Sequence, residues 1–258
     1  MDEKNNYLKN YESISKDVKF LTNSLSRLKI LATLYECPKT MKELTEQTGL
    51  SYSSVSSTMH NLELKDFVYR QSSKYYLSNS MKLEIENLLE LNEIMEVISK
   101  FFNILDKHLV DMIPNESIAE LYLLGQASLI ESGDIDAYRT YNYIENALAE
   151  AGCVKCILPF YYESFNKQLN KLIKAKKSIE AIVSQNILHI FEEKSDIKNL
   201  SSFNNDIAFL LIVTDKVMIL GLFKDDGSFD QNRLLTSKNS DSIMWADNLF
   251  EKFKIENK

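Results

Sequence analysis

SYSSVSSTMHNL, residues 51–62, is the stretch whose reading decides the fold. Val55, Met59 and Leu62 recur at helical spacing, so one side of this segment is built to be buried. The other side holds Tyr52, Ser53, Ser54, Ser56, Ser57 and His60, and the stretch contains no Lys or Arg. A helix with an uncharged, short-side-chain face suits a surface where the backbone must come close to something else.

Its neighbours say what that is. Upstream, Leu25, Leu28, Leu31 and Leu34 with Ile30 make an apolar stripe, which predicts a helix over 25–35 that ends near Pro38. Thr40 followed by Glu43 forms a capping box that opens a second helix, with Met41, Leu44 and Thr45 inward. Gly49 stands where a left-handed cap closes that helix, and Ser51 caps the third, which runs to about Asp66. Two short helices joined by TGLS, with a third following at once, form a helix-turn-helix, whose last helix enters the major groove of DNA. After it, Phe67–Gln71 and Lys74–Leu77 are β-prone around a Ser-Ser turn and make a two-stranded wing.

On such a helix, short hydroxyls bond phosphates or base edges with little loss of side-chain entropy, and the helix N-terminus favours a phosphate. Positive charge must come from beside it: Arg70 and Lys74 in the wing, with Lys39 and Lys42. The chain has net charge -7, yet residues 1–80 hold 11 Lys and Arg against 9 Asp and Glu, while the rest holds 19 against 28. Contact with phosphate therefore falls to the first part. So few cations imply a shallow salt dependence and reliance on a dimer.

Two further stripes flank this unit. Tyr7, Tyr11, Ile14, Val18, Leu21, Leu25 and Leu28 form a heptad seam, as do Leu88, Leu91, Met95, Ile98, Phe102, Leu105, Leu109 and Met112. Leu89, Ile94, Val97, Phe101 and Ile104 broaden the second stripe, which predicts two packing partners. Flanking helices of this kind make a homodimer that matches a palindromic operator in double-stranded DNA.

From Ile113 the periodicity changes. Ser117–Leu124, Val154–Leu158, Ile179–Val183, Ile207–Val213 and Val217–Phe223 read as strands. Asp136–Ala151, Tyr162–Lys176 and Asp241–Phe253 read as helices. Alternation of this kind predicts a layered α/β domain, with Asp215 and Lys216 at the tip of its last hairpin. The expected fold is mixed, α+β or α/β: residues 1–80 a winged helix-turn-helix with an N-terminal dimerisation helix, 81–112 a linking and dimerisation helix, and 113–258 an α/β effector-sensing domain.

The segments LLGQASLIES, CILPFYYESFNKQLNKLIKAKKSIEAIVSQNIL and FLLIVTDKVMILGLFKDDGSFDQNRLLTSKNSDSIMWADNLFEKF resemble, in that order, the sensor domain of archaeal winged-helix regulators of the methanogenesis-regulator family. The similarity covers about the last 145 residues, and its most specific part is the tail from LFKDDGSFD to Trp245 and LFEKF. The resemblance implies a transcription factor whose C-terminal domain, a relative of the phospholipase D fold, binds an effector. This chain departs from the family pattern at Ala246, where Gly is usual, and at Ser57 and Thr58, where Arg and a longer polar residue are common.

Catalytic chemistry finds little support. A phospholipase D-type phosphodiesterase needs His with Lys two residues on, whereas the three histidines read His60-Asn-Leu, His108-Leu-Val and His189-Ile-Phe. The sequence lacks a P-loop, a nucleophile elbow and a dinucleotide fingerprint, so no enzyme, cofactor or metal is expected. The alternatives are a degenerate phosphodiesterase, a scaffold whose winged helix binds protein, and a thiol-responsive regulator acting through Cys153 and Cys156. The two cysteines flank a β-prone run, where residues three apart face opposite ways; as small apolar residues they serve equally well in a core. Trp245 reads either as core or as a ligand contact near Arg233, Asp226 and Asp230. Tyr161, Tyr162 and Glu163 follow a strand end, where α/β proteins place ligands. With no apolar run long enough to span a membrane and no signal-like N-terminus, a cytoplasmic protein is expected.

Overall fold

The computed structural model describes residues 18–203 and 209–255. Its chain divides into two compact units, residues 1–91 and 92–258.

In the first unit, helical residues 18–22 precede α1 (Leu25–Glu36), α2 (Met41–Thr48) and α3 (Tyr52–Glu63), then strands β1 (Val68–Gln71) and β2 (Lys74–Leu77). The strands pair antiparallel with Arg70 opposite Tyr75 and Gln71 opposite Lys74, so the Ser72-Ser73 turn makes a wing. Ser72 takes a positive φ of 58° there. The capping box forms as the sequence requires: the Glu43 amide donates to Thr40 Oγ1 at 3.3 Å and the Thr40 amide to Glu43 Oε2 at 2.7 Å. Gly49 closes α2 at φ 67°, a conformation that carries a penalty for any residue with a Cβ. Ile30, Leu31, Leu34, Leu44, Val55, Met59, Leu62 and Leu77 fill one core. Removing each large aliphatic side chain from water contributes about 1.5–3 kcal/mol.

The linking helix differs from the sequence expectation. Helix α4 spans Asn79–Lys100, not 81–112; Phe101 leaves helical geometry and only a four-residue turn, α5 (Phe102–Leu105), follows. The cause is packing. Met81 and Ile85 are buried in the first core, whereas Val97, Phe101 and Ile104 are buried in a core of the second unit. The division between units thus falls inside α4, and the expected seam is left outward at Leu91, Met95 and Phe102, which are 50–57% exposed. In the first seam Val18 and Leu25 are exposed and Leu21 is buried; Tyr7, Tyr11 and Ile14 lie outside the described residues.

The second unit continues with α6 (Asn115–Ala119), a 3-10 turn (Leu121–Leu124), β3 (Ser128–Glu131), α7 (Arg139–Ala149), β4 (Cys153–Leu158), α8 (Glu163–Lys174) and β5 (Ser178–Ser184). Then come α9 (Leu188–Lys194), β6 (Asn199–Phe203), β7 (Phe209–Thr214), β8 (Met218–Leu222), β9 (Arg233–Ser237) and α10 (Ser240–Ile255). The strands form one mixed sheet in the order β3-β9-β8-β7-β4-β5-β6, in which β4, β5 and β6 run parallel and the other neighbours antiparallel. Both faces are covered. Leu211, Val213, Met218 and Leu220 pack with Trp245, Leu249 and Phe250 of α10 on one side. Leu210, Ile212 and Ile219 pack with Ile144, Phe165, Leu169 and Phe191 on the other. An apolar run such as FLLIVT, buried at every position, is the signature of a strand enclosed on both faces.

Ser117–Leu124 is helical rather than a strand. Its carbonyls are claimed by α10: Trp245 Nε1 donates to Ser117 O and Ser242 Oγ to Leu123 O, each at 2.8 Å. Trp245 is fully buried, so it is a core residue and not a ligand contact. Trp245→Phe keeps an aromatic ring but removes part of the indole volume and leaves the Ser117 carbonyl without this donor. We expect a loss of about 1–3 kcal/mol, read as a lower urea midpoint with an unchanged m-value.

Candidate nucleic-acid interface

Helix α3 is held by its apolar side and displays the other. Val55, Met59 and Leu62 are buried, while Tyr52, Ser53, Ser56, Ser57 and His60 are exposed and Ser54 is half-buried. At its start Ser51 Oγ accepts the Ser54 amide at 3.3 Å, and the Ser51 and Ser53 hydroxyls lie 3.0 Å apart. The same face includes Asn61, exposed one turn after Ser57, whose amide can both donate and accept at a base edge. The sequence reading passed over Asn61; continuing the Ser53–Ser57 step by four would have found it.

The flanking cations are placed unequally. Arg70 and Lys74 are exposed on the wing together with Gln71. The Arg70 guanidinium is steadied by its Nε donating to Ser72 O at 3.2 Å and by lying 5.7 Å from the Tyr75 ring centroid. Lys42 projects into solvent, 3.8 Å from Glu46 one turn along α2. Lys39 is only 8% exposed: its backbone forms a bridge to Tyr75, and the Cys37 side chain takes a hydrogen bond from its ammonium. The Cys37 side chain, with Glu36 and Glu43 nearby, holds the lysine above its ordinary value.

The residues expected around an effector are engaged with separate neighbours. Tyr161 is half-buried, edge-on to Phe191 at 5.3 Å, and Tyr162 packs on Tyr141 and Phe165. Glu163 is exposed and paired with Lys167 at 2.8 Å, which lowers the Glu163 pKa. Asp226 sits in an exposed turn, accepting from the Ser228 amide and hydroxyl. Arg233 Nε, half-buried, bonds Asp230 Oδ2 at 2.7 Å, and the same oxygen lies 2.9 Å from His108 Nε2, His108 and Asp230 both being buried. With its charge spent on Asp230, Arg233 is a structural partner of the loop between β8 and β9.

Cys153 is exposed and Cys156 buried on opposite faces of β4, and burial pushes the Cys156 thiol up to about 12. At neutral pH Cys156 is thus a small core residue with almost no thiolate, which removes the basis for a responsive pair. Among the described residues no three His, Cys, Asp or Glu side chains converge as a metal site, and no helix is long and apolar enough to cross a membrane.

Residues 15–99 match the model described as the N-terminal domain of the methanogenesis regulatory protein FilR1, and residues 137–256 match that of its middle domain. A curated FilR1 from Methanothrix harundinacea (strain 6Ac) is 20% identical over 253 residues, which cover 92% of this chain and 56% of that protein. The chain thus spans little more than half the length of this relative. Among solved structures, TrmBL2, an archaeal chromatin protein, aligns at a TM-score of 0.38 and 10% identity over 91% of this chain and 94% of its own. CalO1, a methyltransferase in calicheamicin biosynthesis, aligns at 0.24 and 12% identity over 80% and 67%. Likenesses this weak carry no weight for the fold or the function.

The trio of His108, Asp230 and Arg233 has a pH signature. Burial alone would raise the Asp230 pKa, but hydrogen bonds from His108, the Asn232 amide and Arg233 outweigh it and hold the carboxyl below its ordinary value. A carboxylate lowered in the folded state stabilises the fold above its unfolded pKa of about 3.9 and loses that contribution as pH falls through the folded value. The gap in melting temperature between the native chain and Asp230→Asn should be full near neutrality and narrow below about pH 4. A gap that stays constant would contradict this.

Proposed function

We propose that this chain, which carries matches to two domains of one methanogenesis regulatory protein in their order, is a DNA-binding transcriptional regulator that works as a homodimer. The observation that carries the reading is the geometry of α3: three buried apolar residues hold an outward face of hydroxyls, one imidazole and one amide, beside a wing bearing Arg70 and Lys74. Such a helix enters the major groove, and its short side chains let the backbone come close to base edges. The wing cations and Lys42 meet phosphates on either side, which fixes register without reading sequence.

Dimerisation is supported by Leu91, Met95 and Phe102, apolar side chains exposed in steps of four and seven along the predicted seam. A second copy would cover them and double a small set of phosphate contacts to match a palindromic operator. An effector bound in the sheet unit would act by changing how the paired recognition helices are presented.

Gel shifts with duplexes selected from a random pool, run across a salt series, test the reading. Replacing Arg70 and Lys74 by Ala should weaken all sequences alike and reduce the slope of log affinity against log salt by roughly 3–4 for a dimer. Replacing Ser56 or His60 should change which duplexes are selected. Absence of any shifted duplex at low salt would overturn the function, and selection unchanged by the α3 variants would overturn the role of this face.

A further inference from the structure

The residues that α3 presents limit which bases it can read. In the major groove guanine offers two acceptors, N7 and O6, and the side chains that answer both are Arg and Lys. Residues 52–63 hold neither. Lys65, the first cation after the helix, sets its ammonium over the Phe20 ring, 4.6 Å from the centroid. Cytosine offers an N4 donor, which a carboxylate accepts. The one carboxylate of α3, Glu63, is its last residue and is half-buried. The hydroxyls of Ser53, Ser56 and Ser57 bond either kind of pair and choose neither. Nothing on this face singles out a G·C pair.

An A·T pair is better served. Adenine offers an acceptor, N7, beside a donor, N6, and one carboxamide meets both at once. Asn61 is the only carboxamide of α3, and it is exposed. Its side chain makes no hydrogen bond among the described residues. By contrast, the exposed Asn87 and Asn92 of α4 are spent on their own helix, Nδ2 donating to Leu83 O at 2.7 Å and to Glu96 Oε1 at 3.2 Å. Thymine adds a methyl group, and the Tyr52 ring, 64% exposed at the start of α3, offers it apolar surface. The wing favours the same pairs by a separate route. A·T tracts narrow the minor groove and deepen its negative potential, which draws in Arg. Arg70, exposed and steadied by Ser72 O, supplies that guanidinium. We infer that each recognition helix reads A·T pairs, with Asn61 specifying an adenine through N6 and N7. This choice of base rests on the DNA-binding role proposed above.

Sequencing the duplexes that the full chain enriches from a random pool at low salt tests this. We expect an A·T core in each half-site. Asn61→Ala and Asn61→Asp, changes at an exposed position that remove the N–H donor for adenine N7, should each lower the preference for adenine at one position of the half-site by about tenfold. Replacing that adenine by 7-deazaadenine, which lacks the N7 acceptor, should weaken the native chain about fivefold and leave Asn61→Ala unaffected. A core of G·C pairs, no enriched core among bound duplexes, or an adenine preference equal in all three proteins overturns the inference and leaves DNA binding in place. A chain that shifts no duplex at all overturns the regulator reading and this inference with it.

Discussion

Everything outward on α3 depends on what is inward. Val55, Met59 and Leu62 lock into a core shared with Ile30, Leu31, Leu44 and Leu77, and burial of these side chains sets the rotation of the helix about its own axis. A turn of one residue about that axis, roughly 100°, would bury hydroxyls without partners and expose Met59. Packing therefore chooses Ser53, Ser56, Ser57, His60 and Asn61 as the presented face, and the wing places Arg70 and Lys74 next to it. The caps at Gly49 and Ser51 make the turn between α2 and α3 short and determinate, and the box at Thr40 fixes where α2 begins.

The second constraint is that α4 serves two cores. Its first half gives Met81 and Ile85 to the winged helix, and its last turns give Val97 to the sheet unit. A helix committed at both ends cannot also keep an intact 3.5-residue seam inward, so Leu91 and Met95 are left outside.

Much of this was legible in the sequence where local chemistry decides. The capping box, the glycine cap, the serine N-cap and the apolar spacing of α3 each act within a few residues, and each appears in the structure as expected. The continuous apolar runs at β4, β5, β7 and β8 were equally clear, because a sheet covered on both faces demands them. What failed was decided at long range. Ser117–Leu124 has β-prone residues, but its carbonyls are taken by side chains of α10 more than a hundred residues away. Strands β3, β6 and β9 are short and mix polar with apolar residues, so only their neighbours in the sheet define them. Arg233 looked like a free cation until a buried carboxylate claimed it.

The claim on which the account stands is that the hydroxyl face of α3 lies against DNA bases. Placing a photo-crosslinking amino acid at Ser56, with Ser80 at the start of α4 as the reference position, and irradiating the protein bound to a selected duplex tests it directly. The account predicts covalent attachment to bases of the duplex from position 56 and little from position 80. Binding that survives the substitution with no crosslink from position 56 would contradict it.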